Sequence, residues 1–478
     1  MSLSRSLAAQ ASPVDIGPRA AVHLLNRLGY GPRPGEAART LRQGLTDFIE
    51  EQLEAPGDPD LDGRLRNLPT LGWSIAQAGA LYNSDQRAFG QVLDELYTAK
   101  VLRAVHGRNQ LQEVLTDFWF NHLNVYILDG FARWSTPSYE RDAIRPHALG
   151  RFRELLGASA AHPAMLFYLD NYLSRATVMV RGQLVAGLNE NYGRELLELH
   201  TVGVDAGYTQ EHVFDAARCF TGWTIDQRSG AFVYRAQNHD TGSKSVFGLD
   251  LPAGGGREDG EKLLDHLAAH PATARFVSRK LVERFVADDA PPGLVDRCAA
   301  TFLRTDGDIR AVMRTLLGSP EFWSAGFGTG LKPRTPVEYV FGALRAADAQ
   351  VTNGRAVTAY LQQMGMPLYA CLPPTGYSNR GADWLNPSSH LSRMNFALDL
   401  AAGALAGISV DARGLIGRAG GNPDDPASAA SALNADLFAR RLSRPTVESA
   451  ARVNRSGTPS AAVRVLALLL ASPEMQAR

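Results

Sequence analysis

Three carboxylates and a guanidinium lie within one stretch, Asn189-Glu190-Asn191-Tyr192-Gly193-Arg194-Glu195-Leu196-Leu197-Glu198-Leu199-His200. On a helix, at about 100° per residue, Glu190, Asn191, Arg194, Glu195 and Glu198 share one arc. Tyr192, Leu196, Leu199 and His200 occupy the other side, with Leu197 at the border. Such an arc supports two arrangements. On a solvated face, Glu190–Arg194 and Arg194–Glu198 are i,i+4 pairs worth about 0.2–0.5 kcal/mol each. In a cleft, crowded like charges raise one carboxyl and create an acid/base pair. The residues that follow favour a site. Thr201-Val202-Gly203-Val204-Asp205-Ala206-Gly207-Tyr208-Thr209-Gln210 reads as a Gly-rich, aromatic-bearing turn, with Thr209 capping the next helix.

Three other groups offer chemistry. In Asp117-Phe118-Trp119-Phe120-Asn121-His122-Leu123-Asn124-Val125, the aromatic residues and Leu123 read as core. His122 is then either a hydrogen-bonded core residue or an auxiliary to catalysis. In Tyr139-Glu140-Arg141-Asp142-Ala143-Ile144-Arg145-Pro146-His147, Arg141 and Arg145 share a helical face, as oxyanion binders would. They can equally pair with Asp142, Glu140 or the glutamates of 189–200, and Pro146 kinks this helix or opens the next. His239-Asp240, near Lys244 in a polar loop, is either a mobile acid/base pair or an Asx turn with an exposed histidine.

The spacing of the His, Asp, Glu and Gly residues fits no metal or nucleotide signature. HExxH and HxH are absent. Asp58-Pro59-Asp60-Leu61-Asp62-Gly63 opens like a calcium loop, but Pro69 stands where a bidentate Glu is needed, so an exposed acidic turn is expected. Thr305-Asp306-Gly307-Asp308 continues wrongly for calcium and reads as a helix cap. Glu195 is followed three residues later by Glu198 rather than His, unlike a ferritin-type ligand set. There is no GxSxG elbow, Walker A loop or GxGxxG after a strand. No metal ligands and no cofactor are expected.

Helical periodicity must position these residues. Residues 21–27 form a helix stopped by Gly29-Tyr30-Gly31-Pro32-Arg33-Pro34. Leu41, Leu45, Phe48, Ile49 and Leu53 mark a second apolar face, and 85–128 a long helical region broken near Gly107. A Leu-rich helix, a small or polar residue, and then Pro recur at 155–163, 263–271, 313–320 and 465–473. Proline suits a first helical position, so repeated helix–turn–helix packing is expected. The one clear β signal is Thr221-Gly222-Trp223-Thr224-Ile225, a Ser229-Gly230 turn and Phe232-Val233-Tyr234, with polar loop over 238–245. The expected fold is mainly α, a multi-helix globular array with one small β-hairpin insertion near 221–248. Its expected divisions are a core domain over 15–405 with the insertion at 221–260, an Ala/Gly/Pro-rich segment over 406–460, partly flexible near 420–429, and a terminal helix over 461–478.

Bulk properties narrow the partners. Lys+Arg and Asp+Glu are 49 each, which gives no net field to attract nucleic acid or an anionic membrane. The basic residues are nearly all Arg; Lys stands only at 100, 244, 262, 280 and 332. Cys219, Cys298 and Cys371 are too scattered for a zinc site or a disulfide framework, which fits a reducing compartment. Residues 1–13 lack an apolar h-region, and the run 396–410 is interrupted by Asp399. A cytoplasmic protein without a membrane span is expected.

Several motifs together resemble the family named domain of unknown function 1800. They include Leu25-Asn26-Arg27-Leu28-Gly29-Tyr30-Gly31, Phe118-Trp119-Phe120-Asn121-His122, Ile144-Arg145-Pro146-His147-Ala148-Leu149-Gly150, His162-Pro163-Ala164-Met165-Leu166, and residues 189–209. Phe220-Thr221-Gly222-Trp223, His270-Pro271-Ala272-Thr273-Ala274-Arg275-Phe276, 374–377 and 384–396 complete a resemblance spanning nearly the whole chain. It implies a mostly helical bacterial protein of unsettled activity. Members often occur beside a sulfatase-like family, which implies shared work on a polymer or surface substrate; many are exported. Two functions follow. One is a hydrolase-type acid/base enzyme acting on a carbohydrate or other polymer. Its catalytic set is Glu190, Glu195, Arg194, Glu198, His122 and His239, and its substrate contacts are Asn189, Asn191, Tyr192, Arg141, Arg145, His147, Trp223 and Asp240. The other is a non-catalytic binding or assembly protein that works with a sulfatase-like partner.

Overall fold

Proline recurs at the start of helices because its missing N–H would have no partner there. In the computed structural model, which describes residues 17–180, 183–185, 187–226, 228–325 and 331–478, all four sequence repeats are helix–turn–helix joints of this kind. Phe152–Ala160 is followed by Pro163–Tyr168, Glu258–Ala268 by Pro271–Phe285, Ile309–Leu317 by Pro320–Ala325, and Ala461–Leu470 by the 3₁₀ turn Pro473–Gln476. The residue before each proline closes the turn. His162 and His270 each accept a bond through Nδ1 from the second helical N–H, both at 3.1 Å. Ser319 and Ser472 accept through Oγ from Phe322 and Met475. Asp58 and Asp308 also act as caps, for Pro59–Leu65 and Ile309–Leu317. The acidic run at 58–63 is therefore a helix start rather than a turn.

The fold is mainly α, with 24 α-helices and four two-stranded antiparallel sheets among the described residues. The expected hairpin pairs Trp223–Ile225 with Phe232–Tyr234, Thr224 opposite Val233. A second hairpin, Lys244–Val246 with Leu249–Leu251, lies where polar loop was expected, turned by Phe247 and Gly248, both at positive φ. That two-residue turn matches the twist of its strands. Two further small pairs, Val178–Val180 with Gln183–Val185 and Gln350–Val351 with Ile408–Ser409, have no sequence signal of comparable strength. One apolar core runs from Ala21 to Met475 and includes Leu415, Ile416, Leu433 and Leu437 from the Ala/Gly-rich region. Residues 1–13, read above for a leader, lie outside the described residues, as does the first part of the expected core domain. No helix is long and apolar enough to cross a membrane among the described residues.

A buried ion network sits within this core. Arg145 grips Glu113 with both terminal nitrogens (2.6 and 2.9 Å) and reaches Glu140 at 2.9 Å. Lys100 lies 3.2 Å from Asp117 and 3.6 Å from Glu140, and Arg103 lies 3.7 Å from Glu140. Three cations thus meet three carboxylates, and the Tyr369 hydroxyl donates to Glu140 at 2.6 Å. Burial alone would raise the Glu140 carboxyl, but Lys100, Arg145, Arg103 and Tyr369 together hold it far below the ordinary carboxylate range. Such a group stabilises the fold above its unfolded value, and the contribution is lost as pH falls through the folded one. Glu140→Gln should therefore lower the urea-derived unfolding free energy by about 3–5 kcal/mol at neutral pH. Below about pH 4.3, stability should fall less steeply in the variant than in the wild type. Equal stabilities at pH 7 would show that the network contributes nothing.

Candidate functional site

The segment 189–200 enters its helix through a fixed turn. Asn189 Oδ1 accepts from the Asn191 N–H at 2.9 Å, and Ser174 Oγ accepts from the Asn189 N–H at 3.1 Å. Asn189 and Asn191 thus shape the helix start. The α-helix Asn191–Glu195 then widens into a π-helix, Leu196–His200. The Thr201 hydroxyl donates to the Leu196 carbonyl at 2.6 Å and closes the wide turn. Single π turns occur often at functional sites. Here the widening also moves side chains: Leu197, expected at the border, is fully buried, and Leu199, expected in the core, is partly exposed. Tyr192 is buried and meets Phe220 edge-on at 4.9 Å, so it packs rather than facing a ligand. Gly193 is required by close approach, since a Cβ there would lie 2.7 Å from the Ala217 backbone nitrogen in Gln210–Cys219.

The charged arc divides in two. Arg194 donates to Glu190 at 3.0 Å and to Gln210 at 2.9 Å, and Gln210 donates back to Glu190 at 2.7 Å. With both ions about one-third exposed, Glu190–Arg194 is the solvated i,i+4 pair. Glu190, expected as a catalytic carboxylate, is occupied by this ring. Arg194 also lies 3.5 Å from Glu198. Glu195 is different. It is half-buried and forms no ion pair or hydrogen bond among the described residues; burial, then Glu198, pushes its carboxyl above the ordinary glutamate range, with Arg194 opposing weakly. Burial and the neighbouring Glu198 push the Tyr208 hydroxyl above its ordinary value, and the charge of Glu195 acts on the Tyr168 hydroxyl. Tyr168 donates to the Leu372 carbonyl at 2.6 Å. Leu372 borders an open hollow of ≈ 470 Å³ lined also by Cys371, Pro373, Tyr377, Ser378 and Trp384. Tyr168 thus links the Glu195 side of the site to the rim of this groove.

The wall of that groove is held by Gln110–His122 and the residues after it. The Asn121 side chain donates to the Tyr377 carbonyl (2.7 Å) and accepts from its N–H (2.6 Å). Asn124 donates to the carbonyls of Cys371 and Pro373. His122 lies between the two sides of the site, with Nε2 3.1 Å from the His200 carbonyl and Nδ1 3.2 Å from Lys280 Nζ. A lysine beside Nδ1 and a carbonyl beside Nε2 select the neutral tautomer protonated at Nε2. Burial, then Lys280 and His200, keep His122 well below its ordinary value, and burial brings His200 to about 3. Lys280, partly exposed and 5.0 Å from the Phe276 ring centre, is lowered to about 8 by burial against the weaker opposing pull of Glu283. Nothing in its sequence neighbourhood marked it. The available signal was its being a lysine in an arginine-dominated chain, since Lys100, Lys244 and Lys332 are also buried in charge networks.

A family model described as a protein of unknown function (DUF1800) matches residues 23–477. The chain belongs to the DUF1800 family. No curated protein and no solved structure matches it.

The other candidate residues of this DUF1800 protein are engaged elsewhere. Arg141 donates to the carbonyls of Leu71 and Trp73 and pairs with Asp142, so it fixes the turn Pro69–Gly72. Arg145 belongs to the buried ion network. His147 lies 3.9 Å from Glu154. Trp223, expected at the substrate, is fully buried between Phe220 and Phe232. His239 is buried rather than exposed, with Nδ1 2.8 Å from the Thr221 carbonyl and Nε2 3.3 Å from Asp259, which also binds Lys244 at 2.7 Å. Asp240 takes a two-pronged bond from Arg218. This network anchors the two hairpins to Gln210–Cys219 and Glu258–Ala268. Among the described residues no three His, Cys, Asp or Glu side chains are grouped to hold a metal ion. Cys219, Cys298 and Cys371 are buried and free.

Lys280 supplies a test of this geometry. With a folded pKa near 8 and an unfolded value near 10.4, the unfolded chain binds more protons between them, so this group makes stability rise with pH across that window. Amine-specific labelling of the folded protein should show one lysine reacting with a midpoint near pH 8, and Lys280→Met should remove it. His122 and His200 should show no imidazolium signal in nitrogen-detected NMR between pH 5 and 8. A titrating His122 in that range would contradict the assignment.

Proposed function

We propose that this protein is a hydrolase-type acid/base enzyme, with Glu195 as the proton donor and Glu198 as the second carboxylate. Its substrate is a carbohydrate or other extended polymer lying along the groove at Leu372, Tyr377 and Trp384. One observation carries the reading: Glu195 is half-buried, has no ion pair among the described residues and stands next to Glu198, which pairs with Arg194. Environments that separate two neighbouring carboxyls suit a reaction needing a proton donor and an ionised partner. A hydrolase of the glycosidase type needs two such groups. The open hollow suits a chain better than a small molecule, which would be enclosed. Arg194 is the charge partner, and His122, neutral and covered by Lys280, holds the site together rather than exchanging protons.

A second reading has its own observation. On Pro387–Ala401, Leu391, Met394 and Leu398 point outward at i, i+3 and i+7, 60%, 41% and 55% exposed. An apolar helical stripe of this kind suits a non-catalytic assembly role with a partner such as a sulfatase-like protein. On that reading Glu195→Gln is silent.

The purified protein should be screened against glycan and ester libraries, with and without added divalent metal. The expected result is a substrate class whose kcat/KM falls roughly 100-fold or more in Glu195→Gln, the usual scale for loss of a general acid. The wild-type rate should decline as pH rises through the Glu195 value, because the protonated form is the donor. Equal, background-level turnover by wild type and Glu195→Gln on every substrate would remove the enzyme reading and leave the assembly one.

A further inference from the structure

Buried guanidinium groups need anions, and one cluster has too few. Arg27, Arg284, Arg334, Arg393, Arg478 and Lys332 are each 0–4% exposed. The carboxylates that meet them are Glu338, paired with Arg284 and Arg478, and Asp288, paired with Lys332. Arg393 is mostly satisfied by neutral groups: its two terminal nitrogens donate to Gln476 at 3.0 Å and to the Arg334 carbonyl at 2.8 Å, over the Tyr339 ring, and only Nε is left over. Arg334 and Arg27 are left with more. Arg334 gives one nitrogen to Asn26 at 2.6 Å and leaves Nε and Nη1 without a partner among the described residues. All three guanidinium nitrogens of Arg27 lack one among the described residues. A buried ion in that state is strongly unfavourable unless something else neutralises it.

Space for such a group exists beside Arg334. A cavity of ≈ 50 Å³ lies among Pro18–Leu28, Pro336–Ala346 and Pro426–Phe438, lined by Asn26, Gly31, Arg334, Gly342, Arg441 and Glu474, among others. Two of these are glycines whose missing side chains make room for the Arg334 guanidinium. A Cβ on Gly342 would overlap the Arg334 guanidinium, and one on Gly31 would crowd Asn26 and Arg334. Glu474 is already committed, accepting from the Ser443 N–H at 2.8 Å and from the Thr446 hydroxyl. A single water needs roughly 10–15 Å³ on the same measure, so the cavity holds roughly three waters or one compact four-oxygen anion. Arg441 and Arg478 both lie within electrostatic reach of Arg27 and of Arg334, and that repulsion adds to the cost of burial.

We propose that this cavity binds a free tetrahedral oxyanion, phosphate or sulfate, held by the unpartnered nitrogens of Arg334, with Arg27 and Arg441 supplying further positive charge. The anion would tie the first described helix to the 334–346 segment and to the chain near 438–477. Stability would then depend on anion concentration, because the folded state alone presents the site.

The test uses the full chain in chloride buffer at constant ionic strength, titrated separately with inorganic phosphate, sulfate and acetate. Calorimetry should show one saturable site for phosphate or sulfate, weaker or absent for acetate, with a parallel rise in melting temperature. Arg334→Met should weaken binding at least tenfold, whereas Arg413→Met, at an exposed pair with Asp424, should leave it unchanged. If Arg334→Met fails to fold, Gly342→Ala, which displaces the guanidinium, should give the same loss. The proposal is overturned if neither oxyanion gives saturable heat with the wild type, or if binding persists undiminished in whichever of the two variants folds.

Discussion

The pairing of Arg145 with Glu113 and Glu140 is the constraint from which the arrangement of the groove follows. It joins Gln110–His122 to the π-helical segment Tyr139–Ile144 inside the core. Because three cations face three carboxylates there, the charges offset one another and the elements carrying them have one relative placement. The end of Gln110–His122 is thereby fixed, and with it Asn121, His122 and Asn124. Those three hold the 371–377 loop on one side and the His200 carbonyl on the other. The candidate carboxyls are thus positioned from a distance, by a network that does not touch them.

The two buried charge clusters of the molecule differ in a way that distinguishes structure from binding. Around Glu140 every cation has a carboxylate, and the hydroxyl of Tyr369 supplements them. Around Arg27 and Arg334 cations outnumber side-chain carboxylates among the described residues, and guanidinium nitrogens remain unpaired there, those of Arg334 beside a cavity. The same comparison applies within 189–200. Glu190 is matched by Arg194 and Gln210, one on each oxygen, whereas Glu195 has neither a paired cation nor a donor among the described residues. In each case the unmatched group is the one available for chemistry or for a ligand.

Features written into local sequence were legible, and those created by tertiary packing were not. The four Pro-initiated joints, the Thr209 cap, the break at Gly107 and the 223–234 hairpin depend on residues close in sequence, so spacing revealed them. The shared face of Glu190, Arg194, Glu195 and Glu198 was legible for the same reason. Which glutamate remains unpaired was not, because Gln210 from the next helix decides it. The π turn at 196–200 exchanged the places of Leu197 and Leu199, which a uniform 100° wheel cannot show. His239 looked like a loop residue since its partners, Thr221 and Asp259, lie about 20 positions away on either side. Lys280 meets His122 across 158 positions, a contact without any local signature.

The reading of the site depends on the state of one carboxyl. Burial and Glu198 act together on Glu195, so its proton affinity reports whether the pair is built as described. The direct measurement is the carboxyl titration of Glu195 in the folded protein, followed by carbon-detected NMR and assigned by difference against Glu195→Gln. The account predicts a midpoint clearly above the ordinary glutamate value, shifting downward when Glu198 is replaced by Gln. A midpoint at or below the ordinary value, indifferent to Glu198→Gln, would contradict it.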